Sequence, residues 1–228
     1  MRAPQGQRLP GPTTTPPQTA RGKELKQERA VRTQERILHA AAQAFAENGF
    51  PAVTILDVAQ LSGMTKGAVY FHYANKEALA LSIADEFYRR IAAIAGRVEQ
   101  LGRPPIASVA ELLLRTAAAL RDDTVMQAGA RLQIERAAIE AELPLPYQGY
   151  TALICSWLEH GAERGELARS TTPAVLAKVL VSAFFGAQHI SWVLGNRADL
   201  TERTMEIIRT VIPCAESALP EPLSVLES

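Results

Sequence analysis

Lys66, Tyr70, His72, Tyr73 and Lys76 crowd into residues 66–76. They bring amines, phenols and an imidazole within a few residues of one another. Such a set suits hydrogen bonding to a polyanion. It does not suit nucleophilic or metal-assisted catalysis. His39, His72, His160 and His189 are scattered, and His160 to Glu163 lacks a second histidine at metal spacing. No glycine-rich phosphate loop, nucleophile elbow or Cys/His dyad is present. The residue types therefore favour a binding protein over an enzyme and imply neither a cofactor nor a metal.

Something must hold that polar cluster outward. The preceding segment supplies two helix starts and one break. Thr54-Ile55-Leu56-Asp57 fits a capping box, with Asp in the place more often taken by Glu or Gln. Ile55, Val58, Ala59 and Leu61 give that helix its apolar contacts. Gly63 breaks it, and Thr65 can cap a short helix after it. Asn75 can cap the next helix, which begins at Lys76-Glu77. Val69 should face inward with Phe71 or Tyr73, against Ala59 and Phe45. Two helices joined by a short glycine-containing turn describe a helix-turn-helix. The second helix of such a pair enters the DNA major groove. Lys66, Gly67 and Ala68 suit close approach, while Tyr70, His72 and Lys76 suit phosphate oxygens. From pattern alone, an ordinary pair of solvated helices fits equally well.

Upstream, helical periodicity runs from about Lys23 to Asn48, with Ile37, Ala41, Ala44 and Phe45 as its core stripe and Gly49 as its stop. The front of this helix, KELKQERAVRTQER, is charged all round and must be solvated or lie against charge. Arg32 belongs to this basic arm. The formal net charge of the 228-residue chain is zero. Through residue 80, however, ten basic residues face six acidic ones, so +4 in the first third balances −4 in the rest. A basic first third fits a polyanion contact made by that part alone.

The segment TILDVAQLSGMTKGAVYFHYANKEAL (54–79) closely resembles the DNA-binding domain of TetR-type transcriptional repressors. The resemblance lies in Thr54, Ala59, Gly63, Thr65, Lys66-Gly67-Ala68, Tyr70, Tyr73, Asn75, Lys76-Glu77 and Leu79, and covers about residues 30–80. It implies that Thr54 caps the second helix and that Thr65, Lys66, Tyr70, His72 and Lys76 face DNA. His72 occupies the histidine of the family's Y-x-H-F pattern. Tyr73 replaces the Phe and adds a hydroxyl. The DNA-binding set is thus Arg32, Thr54, Thr65, Lys66, Gly67, Ala68, Tyr70, His72, Tyr73 and Lys76.

After Gly102-Arg103-Pro104-Pro105 the composition turns to Leu, Ala and Val. The pattern predicts helices over about 105–121, 124–141, 147–164, 173–195 and 200–217. Thr172 and Pro173 form a cap and first turn, and Pro213 kinks or ends the last helix. RLQIER (131–136), PLPY (144–147), FFGAQHIS (184–191) and IIRTVIPC (207–214) resemble γ-butyrolactone-type receptors of actinomycetes. These respond to butyrolactone, butenolide or furan signals and control antibiotic clusters. Tyr150 stands where that group usually has Trp, which implies a more polar pocket.

A small-molecule site is mostly apolar with a few convergent polar groups. Tyr88, Gln133, Tyr147, Tyr150, Trp157, Gln188 and Trp192 are its candidate lining. An isolated Tyr or Trp is as readily core, and the resemblance favours Tyr88, Gln133 and Tyr147 most. In the family, the late helices pack against their copies across a two-fold axis. Here these are about 173–195 and 200–217, and Val175, Leu176, Val179, Leu180, Ala183 and Phe184 form their stripe.

The expected architecture is all-α. Residues 1–22 form a disordered tail, 23–75 a three-helix DNA-binding unit, 76–218 a ligand-binding and dimerisation unit, and 219–228 a loose tail. The helix from Lys76 joins the two units without a flexible linker. Cys155 and Cys214 suit buried free thiols. No signal peptide is legible, and no apolar run approaches the roughly 20 residues of a membrane span. The reading is a cytoplasmic homodimeric repressor, with double-stranded DNA and a small effector as partners and no membrane partner. The alternatives are a ligand-blind pseudo-receptor of the same fold and, in a different class, an all-helical enzyme.

Overall fold

The computed structural model describes residues 18–212 except Pro146, Arg169 and Thr171, with side chains from Gln27 onward. Expectations for residues 1–17 and 213–228, including the C-terminal tail, Pro213 and Cys214, lie outside the described residues. Among the described residues the chain is all-α.

Helix α1 spans Gln18–Asn48 and so begins earlier than Lys23. Its part up to Arg36 belongs to a first compact unit, and everything from Ile37 onward belongs to a second. In the first unit, Arg29 and Arg32 are exposed, and the Thr33 hydroxyl donates to the Arg29 carbonyl at 2.9 Å.

The second unit opens with the rest of α1. Gly49 ends that helix with φ +82°, a left-handed conformation that costs glycine little. Helix α2 (Ile55–Ser62) and α3 (Lys66–His72) follow, then α4 (Lys76–Gln100). The predicted caps form. Thr54 and Asp57 make both halves of the capping box, and Gly63 closes α2 at φ +65°. Thr65 accepts from the Ala68 amide, and Asn75 from the Ala78 amide.

Ile37, Phe45, Val58, Val69, Leu79 and Ile83, all fully buried, centre the core of this region. That core continues into Val125, Ala128 and Leu132 of α6 (Thr124–Ile134). Gly129 lets α6 approach α4 closely, since a Cβ there would sit 2.4 Å from Phe87. Helix α5 (Pro105–Asp122) is the most enclosed, with Ile106 through Leu114 all buried. It packs against α4, α6, α7 (Gln148–Glu163) and α9 (Leu200–Val211), while α8 (Pro173–Gly195) lies against α7 and α9.

Helix α6 stops at Ile134 and gives way to a 3-10 turn, Arg136–Ala138, so the predicted helix to about 141 is shorter. Helix α9 stops at Val211. Pro173 takes the first turn of α8 as predicted, but the Thr172 side chain makes no cap bond. Cys155 is partly exposed, not buried. Helix α8 is long and apolar enough to cross a membrane by length and composition, which corrects the expectation that no such run exists. Its Ala177, Leu180, Phe184 and Gln188 side are instead buried within the helical bundle.

Candidate nucleic-acid interface and buried polar site

Seven residues make α3 too short to persist alone. Val69, fully buried, and Tyr73, 5 % exposed, anchor it in the core of α1, α2 and α4. At about 3.6 residues per turn, Gly67 and Phe71 fall nearly opposite Val69, with Tyr70 and Ala68 beside them. The exposures agree. Lys66, Gly67, Tyr70 and Phe71 are exposed, and Ala68 and His72 are half-buried. A Cβ at Gly67 would meet only the Thr65 hydroxyl, at 4.0 Å, so this face is open for close approach. The Lys66 amine lies over the Tyr70 ring, 5.8 Å from its centroid, on the same exposed side.

Two expectations change at this face. Of the two aromatics that could accompany Val69 inward, Tyr73 does so and Phe71 does not. Phe71 is 84 % exposed, touching the His72 ring edge-on at 5.2 Å. Tyr73 is a core residue, and its burial removes it from the exposed set. Lys76 is half-buried and engaged within the fold. Its amine donates to the Phe50 carbonyl at 2.8 Å and sits 4.2 Å over the Phe50 ring. Thr54 and Thr65 are exposed, but their hydroxyls serve the caps of α2 and α3. Phe71 is exposed because it shares the outward side with Gly67 one turn away.

The second site is buried. Gln133 is 5 % exposed, and among the described residues neither its amide oxygen nor its nitrogen has a hydrogen-bond partner. The Tyr88 hydroxyl on α4 and the Gln188 amide nitrogen on α8 are likewise buried and unpaired. Each such group costs about 1–3 kcal/mol unless something pairs with it. Burial, with Tyr147 nearby, pushes the Tyr88 hydroxyl up to about 12 against the opposing charge of Arg136. Tyr88 therefore stays a neutral donor. Tyr147, partly buried on a left-handed backbone (φ +64°), lays its ring 4.3 Å from that of Phe185. Burial raises its hydroxyl too. Orphaned donors and one acceptor in buried surroundings are groups that an acceptor-bearing organic molecule would pair with.

The other candidates are packed or paired within the chain. The Tyr150 hydroxyl donates to Thr116 at 3.1 Å, and the residue is a buried part of the core, stacked near Phe184. Trp157 is packed in the same core. Trp192 is occupied by cations, with the Arg131 guanidinium 5.1 Å and the Arg197 guanidinium 5.2 Å from its ring. Arg197 is 2 % exposed. Burial, reinforced by Arg131, pushes its guanidinium down to about 10, still charged at neutral pH. Arg131 and Glu135 were missed by sequence reading. They bracket Gln133 in RLQIER, where a charged pair four residues apart reads as an ordinary surface ion pair. Among the described residues, no group of three or more His, Cys, Asp or Glu could hold a metal ion.

Residues 37–83 match the family model described as bacterial regulatory proteins, tetR family. The chain is similar to the A-factor receptor protein of Streptomyces griseus, at 36 % identity over 82 % of this chain; the match spans 65 % of that protein's length. A solved structure addressing the molecular basis for control of antibiotic production by bacterial hormones shares 46 % identity. It matches 81 % of this chain and 97 % of its own, with a TM-score of 0.75. The TetR regulator TylP of Streptomyces fradiae shares 29 % identity over 86 % of this chain and 90 % of its own, with a TM-score of 0.63.

Proposed function

Because the chain belongs to the TetR family of bacterial regulatory proteins, we propose that it is a homodimeric transcriptional repressor released from DNA by a small signalling molecule. The α3 helices of two copies enter successive major grooves of a pseudo-palindromic operator, with half-sites about 34–36 Å apart. Lys66, Gly67 and Ala68 approach base edges, Tyr70 and His72 reach phosphates, and Arg32 adds charge along the backbone. Thr54, Thr65 and Lys76 position that face. The effector is of butyrolactone, butenolide or furan type. It binds at Tyr88, Gln133 and Tyr147 and prefers a conformation in which the half-site spacing is wrong. Relatives that share this architecture support the further reading that it controls antibiotic biosynthesis, in the cytoplasm and without catalysis.

One observation carries the ligand half of this reading. Gln133 is buried with both amide atoms unpaired. An effector that pairs with them recovers a cost the free protein bears. The test is a mobility shift on DNA upstream of the chain's own gene, repeated with candidate signals and with a thermal shift. Retardation relieved by a signal that also raises the melting temperature is the expected result. Retardation that no signal relieves would indicate a ligand-blind regulator. No retardation would overturn the reading.

A further inference from the structure

The turn between α1 and α2 is gripped from two sides. Glu135, the residue that closes α6, accepts the Phe50 amide through its Oε2 at 2.7 Å. Its Oε1 accepts from Arg131 Nε at 2.8 Å, and Arg131 Nη1 donates to the Ala46 carbonyl at 3.0 Å. Gly49 lies so close that a Cβ there would sit 2.5 Å from Arg131 Nη2. On the other side, Lys76 at the start of α4 holds the Phe50 carbonyl at 2.8 Å. The Phe50 backbone is thus fixed at its N–H by α6 and at its C=O by α4. Two residues before Glu135, on the same last turn of α6, is Gln133 with its unpaired amide.

We infer that Glu135, supported by Arg131, is the positioning residue through which occupancy at Gln133 reaches the DNA-binding helices. The inference rests on the effector site proposed above. A molecule that pairs with Gln133 must shift or fix the last turn of α6. Arg131 and Glu135 flank Gln133 on that turn, so they move with it. Their partners are backbone atoms of the α1–α2 turn, so the pull acts on the chain itself rather than on a side chain that can swing aside. The turn leads directly into the capping box of α2 and so sets where α2 and α3 stand. The Phe50 bond is charge-assisted and half-buried, which makes the link stiff.

The test uses the full chain and its Glu135→Ala and Glu135→Gln variants. Alkyl-bearing γ-butyrolactones, butenolides and furan carboxylates are screened by thermal shift on the parent, and a compound that stabilises it becomes the probe. In Glu135→Ala, exchange of the Phe50 amide should speed up about tenfold and operator affinity should fall modestly without probe. The probe should still bind this variant. Where it weakens the parent's operator binding about tenfold or more, it should weaken the variant's less than about threefold. Glu135→Gln keeps an acceptor for the amide and should restore part of both. Unchanged Phe50 exchange, or full release by a probe that binds Glu135→Ala, overturns the inference. If no compound stabilises the parent, the effector reading fails by itself. Phe50 exchange and probe-free operator affinity then decide whether Glu135 positions the turn.

Discussion

At the scale of single residues, exposure separates what a substitution does to DNA from what it does to the fold. Tyr70 is 47 % exposed on the outward side of α3. Tyr70→Ala should weaken operator binding by about tenfold. Its unfolding free energy should change by no more than about 0.5 kcal/mol. Fluorescence anisotropy on operator DNA and urea unfolding measure the two separately, and an unchanged affinity would count against this docking. Gln133 behaves oppositely. Gln133→Leu removes an unpaired buried amide, so stability should rise by about 1 kcal/mol while the response to effector disappears and operator binding persists. A loss of stability would show that the amide has a partner in solution. Tyr88 adds a pH signature. Its folded value of about 12 lies above the ordinary 10.0, so the unfolded chain ionises first as pH rises. This residue's share of stability is complete below pH 10 and is lost as pH climbs toward 12. Denaturation midpoints should fall across that window, and Tyr88→Phe should flatten part of the fall.

At the scale of elements, the caps decide how firmly α3 is presented. Thr54 gives its hydroxyl to the Asp57 carboxylate at 2.8 Å and accepts the Asp57 amide at 3.3 Å. Thr54→Ala removes half of the capping box and should cost about 1 kcal/mol, read as a lower melting temperature. Weaker operator binding should accompany it, although Thr54 need not touch DNA. The Thr54 hydrogen bonds hold the Asp57 carboxyl below its ordinary range. Its contribution is present above the ordinary value and is lost as pH falls through the depressed one. These caps were legible in the sequence because each uses residues no more than three apart. Gly49, Gly63, Thr65 and Asn75 were legible for the same reason. The end of α6 was not, because Glu135 leaves the helix to reach Phe50, 85 positions away. Lys76 was misplaced for a like cause. Its destination, the Phe50 carbonyl, is fixed only once α4 packs beside the α1–α2 turn. Of the proposed effector site, Gln133 was legible as an amide in an apolar setting and Tyr88 only through the family resemblance. That Tyr150 finds Thr116 while Gln133 finds nothing depends on the packing of α5 and α7.

At the scale of the whole molecule, α8 poses the remaining physical problem. Val175, Val179, Ile190 and Val193 are between 46 % and 66 % exposed. At about 3.6 residues per turn, these positions fall along one stripe. Gly186 lies on the same line, where a Cβ would meet nothing within 4 Å. A stripe of β-branched side chains running the length of a helix, with a bare glycine midway, leaves room for another helix to lie close. A second copy of α8 across a two-fold axis covers it with itself, because such an interface presents the same patch from both sides. The buried side of α8, with Leu180 and Phe184 fully enclosed, keeps the helix in its own bundle meanwhile. Val179→Glu should therefore yield a folded monomer, since Val179 is nearly half exposed while Leu180 and Phe184 hold the buried side. Analytical ultracentrifugation should show half the parent's mass, and circular dichroism should show the same helix content. The monomer keeps one intact α3 but loses the gain from engaging two half-sites at once, about 10²- to 10⁴-fold in operator affinity. It should still bind effector, because Tyr88, Gln133 and Tyr147 lie outside α8. A Val179→Glu protein that remains dimeric would move the interface off this stripe.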